Sequence, residues 1–205
     1  MNGLSIIPLA ITVILGPQIT VAILLLTQKN PIKNSVSYIL GITFGITCLT
    51  SISYLFLSYY HIDAPNPAYQ QKIKVAISII LIYLMIKNFL NKNKLTKKPK
   101  WMQSLQNASL KSIFLIGFGL VLFMPADIGV ALSVGGVLVA KNQGLAHALP
   151  LFITVMILIS SPLDIYLILG KRGPKLMEKV NKWINNNGWV INEIVYMMFI
   201  YLIWS

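Results

Sequence analysis

Long apolar runs alternate with short polar turns along the chain, six runs in all. The first extends from Leu4 to Leu26 and is interrupted by Gly16-Pro17-Gln18. The second covers Ser35 to Leu57, and the third, the weakest, Lys72 to Ile86. The fourth covers Ser112 to Ala140 with Asp127 as its only charge, the fifth His147 to Gly170, and the sixth Gly188 to Trp204. Runs of this length read as membrane spans. The pattern predicts an all-α polytopic membrane protein with six transmembrane helices in a single transmembrane domain. A proline inside a span removes a backbone hydrogen bond and clashes with the preceding turn. Helices one and four are therefore expected to break, with Pro17 and Pro125 each opening a second half-helix.

The two breaks occupy matching places. Pro17 and Pro125 each lie thirteen residues into their runs, and each half-helix then runs to a Lys-Asn turn, Lys29-Asn30 or Lys141-Asn142. The chain divides into a first three-helix repeat at 4–90, a basic cytoplasmic linker at 91–111 and a second three-helix repeat at 112–205. Two three-helix halves must run in opposite directions through the membrane. A pair of interrupted segments at corresponding positions of inverted repeats points to a transport site at the membrane midplane.

Charge sets the orientation. The turns after runs one, three and five hold two, seven and five basic residues; the outer turns, with Lys72 and Lys74 included, hold two and one. The positive-inside rule places the richer set in the cytoplasm and both termini outside it. The formal charge of +12 would suit a nucleic-acid partner, but the basic residues sit in short loops between apolar runs, so no nucleic acid is expected. A composition 56% hydrophobic and 11% charged excludes an ordinary soluble domain. The N-terminal run exceeds a signal-peptide core and is expected to stay as a helix. Cys48 is the single cysteine, so neither a CxxC redox pair nor a thiolate metal site can form. No Ser–His–Asp set, metal-ligand cluster or phosphate-binding loop stands out. No enzymatic activity and no cofactor are expected.

The candidate chemistry lies at the breaks. Placing a carboxylate at this depth costs roughly 2.5–3.5 kcal/mol on insertion scales. In the first turn of its half-helix, Asp127 either caps free N–H groups or forms a polar site in a solute pathway. Pro17, Gln18, Pro125 and Asp127 are thus expected to flank one central cavity. Half-helix N-termini there suit an anionic head group, with Asp127 switching between protonated and ionised forms. In the fifth run, Asp164 follows Ser160-Ser161-Pro162 and is expected to face the bundle interior near those serines. From Lys175 to Asn187, the residues Leu176, Met177, Val180, Trp183 and Ile184 follow helical spacing, with Lys175, Lys179 and Lys182 off that stripe. This reads either as an interfacial helix on an anionic leaflet, with Trp183 at the lipid boundary, or as simple topology-setting charge. Trp101, Met102, Leu105 and Leu110 suggest a weaker version after Pro99.

The Gly16-Pro17 break, the basic linker with Lys-Pro-Lys-Trp-Met-Gln-Ser-Leu at 98–105 and the central Pro125 together resemble the lysine-exporter (LysE) superfamily. Within it they look most like the GAP, or sulfolipid-addressing, branch. The resemblance covers nearly the whole chain through short motifs. It implies a six-helix inner-membrane transporter with inverted repeats, whose relatives export amino acids or metal ions or help move glycolipids to the cell surface. Pro125 matches the proline of the family's Asn-Pro-Lys motif, but Met124 and Ala126 replace its polar neighbours and Asp127 is added. That departure weighs against an amino-acid substrate. The expected function is export of a lipid-linked or glycolipid-type substrate, with membrane lipids, protons and a second copy of the chain as expected partners. The alternatives are a small-solute exporter for amino acids or cations, and a non-transporting scaffold of a lipid export machine.

Overall fold

Prolines punctuate the helices: Pro17, Pro31, Pro67 and Pro125 each take the first position of one, where the missing N–H costs nothing and the fixed φ suits the helix. The structure is a computed structural model and describes residues 3–14, 16–60, 67–92, 105 and 108–204. Among these the chain is helical and without strands. In order the helices are α1 (Gly3–Ile14), α2 (Pro17–Leu25), α3 (Pro31–Tyr60), α4 (Pro67–Leu90), α5 (Leu110–Phe123), α6 (Pro125–Ala140), α7 (Leu149–Leu169), α8 (Gly173–Asn186) and α9 (Gly188–Trp204). Short 3-10 turns at Leu145–Ala148 and Gly170–Arg172 flank α7.

Both expected breaks are present. The chain bends by 64° between α1 and α2 and by 69° between α5 and α6. The two bends are made differently. At the first, Gly16 takes φ +98°, a region that glycine enters without strain. At the second, Met124 is extended at φ −83° and ψ 119°, the conformation forced on a residue that precedes proline.

The long helix α3 is the spine. It packs against α5, α6 and α7, and its two faces are sorted in the manner of a membrane helix. One row buries Ser35, Tyr38, Gly41, Ile42, Gly45, Ile46 and Ser53. The opposite row exposes Ile32, Val36, Leu40, Phe44, Ile52 and Phe56. Small and polar residues line the contact between helices because lipid already solvates the large apolar ones. The glycines let backbones meet. A Cβ at Gly117 of α5 would lie 2.8 Å from the Tyr38 carbonyl oxygen, and one at Gly135 of α6 would lie 2.9 Å from the Tyr54 nitrogen.

Around this spine, α1 packs on α7, and α2 reaches both α7 and α8. Helices α4 and α9 pack mainly on each other. Their seam is polar: Asn88 donates to Glu193 Oε1 and to the Trp189 carbonyl, each at 2.8 Å, and Trp204 Nε1 donates to Ser78 Oγ at 2.9 Å. Among the described residues, two helical stretches, Pro31–Tyr60 and Leu145–Ile184, are long and apolar enough to cross a membrane. Counting each bent pair as one span makes four. The third and sixth apolar runs form α4, which carries Lys72, Lys74 and Lys87, and α9, which has 17 residues, and neither is among these spans. The apolar helices mark a membrane protein.

Candidate functional site at the two helix breaks

Gln18 is the second residue of α2 and Asp127 the third of α6, so both hang from the first turn after a break. They meet. Gln18 Nε2 donates to Asp127 Oδ2 at 2.9 Å, across 109 positions of sequence. Both side chains are buried, at 1% and 0% exposure. The phenol of Tyr38, from α3, donates to the Gln18 carbonyl oxygen at 3.1 Å and pins the first break to the spine. Tyr38 was not a candidate in the sequence; its one signal there is a phenol near the start of an apolar run.

The pair is only half satisfied. Gln18 Oε1 and Asp127 Oδ1 are buried and have no hydrogen-bond partner, whereas buried polar atoms are paired in the great majority of cases. The N-terminus of α6 also offers few free donors. Pro125 has no N–H, and the N–H groups of Asp127 and Ile128 both bond the Met124 carbonyl, each at 3.1 Å. Asp127 therefore does not cap its own helix with its side chain.

Where a central cavity was expected between the breaks, the side chains of Gln18 and Asp127 are instead in contact. A shallow, open apolar groove lies at the second break. It has a volume of about 280 Å³ and is lined by Ile116, Gly119, Leu120, Phe123 and Met124. Phe123 at its edge is 83% exposed. Met124 links the two environments, since it lines this apolar groove while its carbonyl holds the turn that carries Asp127.

Asp164 departs from expectation. It is exposed and does not face the bundle interior. Its partner is Ser160, one turn earlier on α7, whose hydroxyl donates to Asp164 Oδ2 at 2.9 Å and to the Ile157 carbonyl at 2.8 Å. Asp164 lies five residues before the end of α7, about 8 Å along the axis, and its carboxylate turns back toward Ser160. Ser161 is half-buried beside it. This group does not join the buried pair.

The basic helix α8 forms as expected, but its apolar stripe covers protein rather than lipid. Met177 and Ile184 are buried, and Leu176 and Val180 pack against the core. Lys175, Lys179 and Lys182 remain exposed, and Trp183 is about half exposed. Of the weaker stripe after Pro99, Leu105 is buried and its carbonyl accepts from Gln28 Nε2 at 3.1 Å, while Trp101 and Met102 lie outside the described residues.

Broken apolar helices with a buried amide–carboxyl contact between the breaks define a helical membrane protein with a polar centre. The chain belongs to the family described as Sap, sulfolipid-1-addressing protein, whose pattern matches residues 6–205. That family places it among membrane proteins concerned with lipid addressing. No curated protein and no solved structure matches the chain.

Proposed function

We propose that the protein is a cytoplasmic-membrane exporter that moves a lipid-linked or glycolipid-type substrate, working at the two helix breaks. The observation that carries this reading is the buried contact between Gln18 and Asp127. It joins the ends of two half-helices from opposite halves of the chain, as expected of a midplane transport site. Six spans in two inverted repeats follow, with α4 and α9 as the third and sixth, and with membership of the wider lysine-exporter superfamily. The apolar groove at Met124 favours a lipid over a water-soluble solute, because its lining can take an acyl chain while the head group lies near Asp127. The protein carries out no covalent chemistry in this reading.

Reconstitution of the purified protein in vesicles containing a fluorescent glycolipid tests the proposal. The wild type is expected to speed transfer of the probe between leaflets. Asp127→Ala is expected to slow that transfer about tenfold, equivalent to ~1.4 kcal/mol of barrier. A folded wild-type protein that moves no lipid fits a scaffold instead; one that moves only amino acids or cations fits a small-solute exporter.

Topology has its own test. In a Cys48→Ala background, a cysteine placed at Thr96 is expected to resist impermeant thiol reagents in intact cells and to react once the membrane is opened. Labelling of intact cells at that position would overturn the cytoplasmic placement of the linker.

A further inference from the structure

The orphaned atoms at the breaks are both acceptors. Asp127 Oδ1 and Gln18 Oε1 are buried without partners, and what they lack is a positive or hydrogen-donating group. The N-terminal turns of α2 and α6, from which both side chains hang, carry partial positive charge, but the helix ends that precede them present carbonyls. Pro17 offers no N–H to the Val13 carbonyl and Pro125 none to the Val121 carbonyl, so α1 and α5 end at the breaks with carbonyls to spare. Helices α1, α2, α6 and α7 contain no basic residue, and Lys111 of α5 stands about 20 Å along its helix from the break. Among the described residues no counter-charge pairs with this carboxylate, and a buried charge needs one. The amide oxygen lies against the Gly16 turn, where a Cβ built on Gly16 would be in ordinary van der Waals contact with it at 3.7 Å.

We propose that Asp127 and Gln18 bind a monovalent cation, a sodium ion or a proton, held between their two unpartnered oxygens. This rests on reading the breaks as the working site and names the coupling ion of that site. Unwound carbonyls and half-helix C-terminal ends are the groups that coordinate such ions in broken-helix transporters. A divalent ion suits the site poorly, because it demands more oxygens and more carboxylates than one Asp and one amide provide. An anionic head group suits it worse, since it would meet two acceptors and few free N–H groups. The monovalent ion neutralises Asp127 and satisfies both orphaned atoms at once. It thereby ties α2 to α6.

The proposal fixes what pH and sodium each do. Among the described elements packed on α6, α1 carries no titratable side chain, α5 carries only the distant Lys111, and α3 carries Lys33, Tyr38, Cys48, Tyr54, Tyr59 and Tyr60 along its length. His147, in the turn beyond the far end of α6, is exposed. The purified full chain is melted in detergent while sodium chloride replaces choline chloride at constant ionic strength. A second series without sodium runs from about pH 8 to about pH 5. If sodium is the ligand, the melting temperature rises by about 5 °C and saturates in the first series. If a proton is the ligand, the rise comes only in the second. Asp127→Asn loses the response in either case, and Gln18→Glu, with a second carboxylate at the site, gains a steeper one. A wild-type protein indifferent to both series, or one whose response survives Asp127→Asn, overturns the proposal. A cation-dependent melting temperature in a protein that moves no lipid would keep the cation site and remove the transport reading.

Discussion

Replacing Gln18 with Leu is expected to destabilise the solubilised protein by about 2 kcal/mol, and adding Asp127→Leu is expected to restore most of that loss. The single substitution removes the one donor that Asp127 has and leaves a buried carboxyl with no partner, which costs about 1–3 kcal/mol. The double substitution removes both polar groups and puts two side chains of similar size in contact, and such swaps are nearly neutral. The two effects should therefore be strongly non-additive, as expected of residues in direct contact. Hydrogen bonds between membrane helices average about 0.6 kcal/mol in comparable cycles. A coupling above that value marks the burial of the carboxyl as the cause. Reversible unfolding of the four proteins in mixed micelles gives the measurement. Additive single effects would show that the two side chains do not depend on each other.

Gly41→Val is expected to have the largest effect of any single substitution, a loss of about 3 kcal/mol or more with little folded protein recovered from membranes. Gly41 faces the backbone of α5, and a Cβ there would collide with the Phe114 carbonyl oxygen and come within 3.1 Å of the Phe118 nitrogen. Backbone atoms cannot rotate aside as a side chain can, so α3 and α5 would have to separate along their whole contact. The control is Gly129→Val on α6. A Cβ at Gly129 meets nothing within 4 Å, and the change should stay within about 1 kcal/mol. Equal tolerance at both glycines would mean that α3 and α5 do not approach as described.

The breaks were legible because a proline deep in an apolar run removes a backbone hydrogen bond, although proline alone does not decide a break, since Pro8 and Pro162 lie inside the continuous helices α1 and α7. Matched placement of Pro17 and Pro125 suggested that Gln18 and Asp127 flank one cavity, whereas the two side chains are in direct contact. Asp164 was misplaced for an instructive reason. Inside an apolar run every carboxylate looks equally in need of protein, but Asp164 lies near its helix end and takes a hydrogen bond from its own helix. Tyr38 escaped notice because a phenol in an apolar run reads as an interface anchor until a partner carbonyl is seen beside it. The stripe of α8 was correctly spaced, yet periodicity reports only that one face is apolar. Whether lipid or protein covers that face is decided by tertiary packing. The polar seam of α4 and α9 could not be anticipated either, since no matched break or motif marks Asn88 and Glu193 as partners.

Helix α8 is fastened to the bundle at both ends of its reach. Gly173 packs directly on the Tyr166 carbonyl oxygen of α7, and Met177 and Ile184 are sunk among core side chains. Its lysines are therefore not free to drift, and they act as a waterline painted on the hull. Lys175, Lys179 and Lys182 stay at one height relative to α7 and α2, so a bilayer that thins or thickens cannot be met by sliding α8 alone. The mismatch passes to the tilt of the whole bundle, and through α2 it reaches the first helix break.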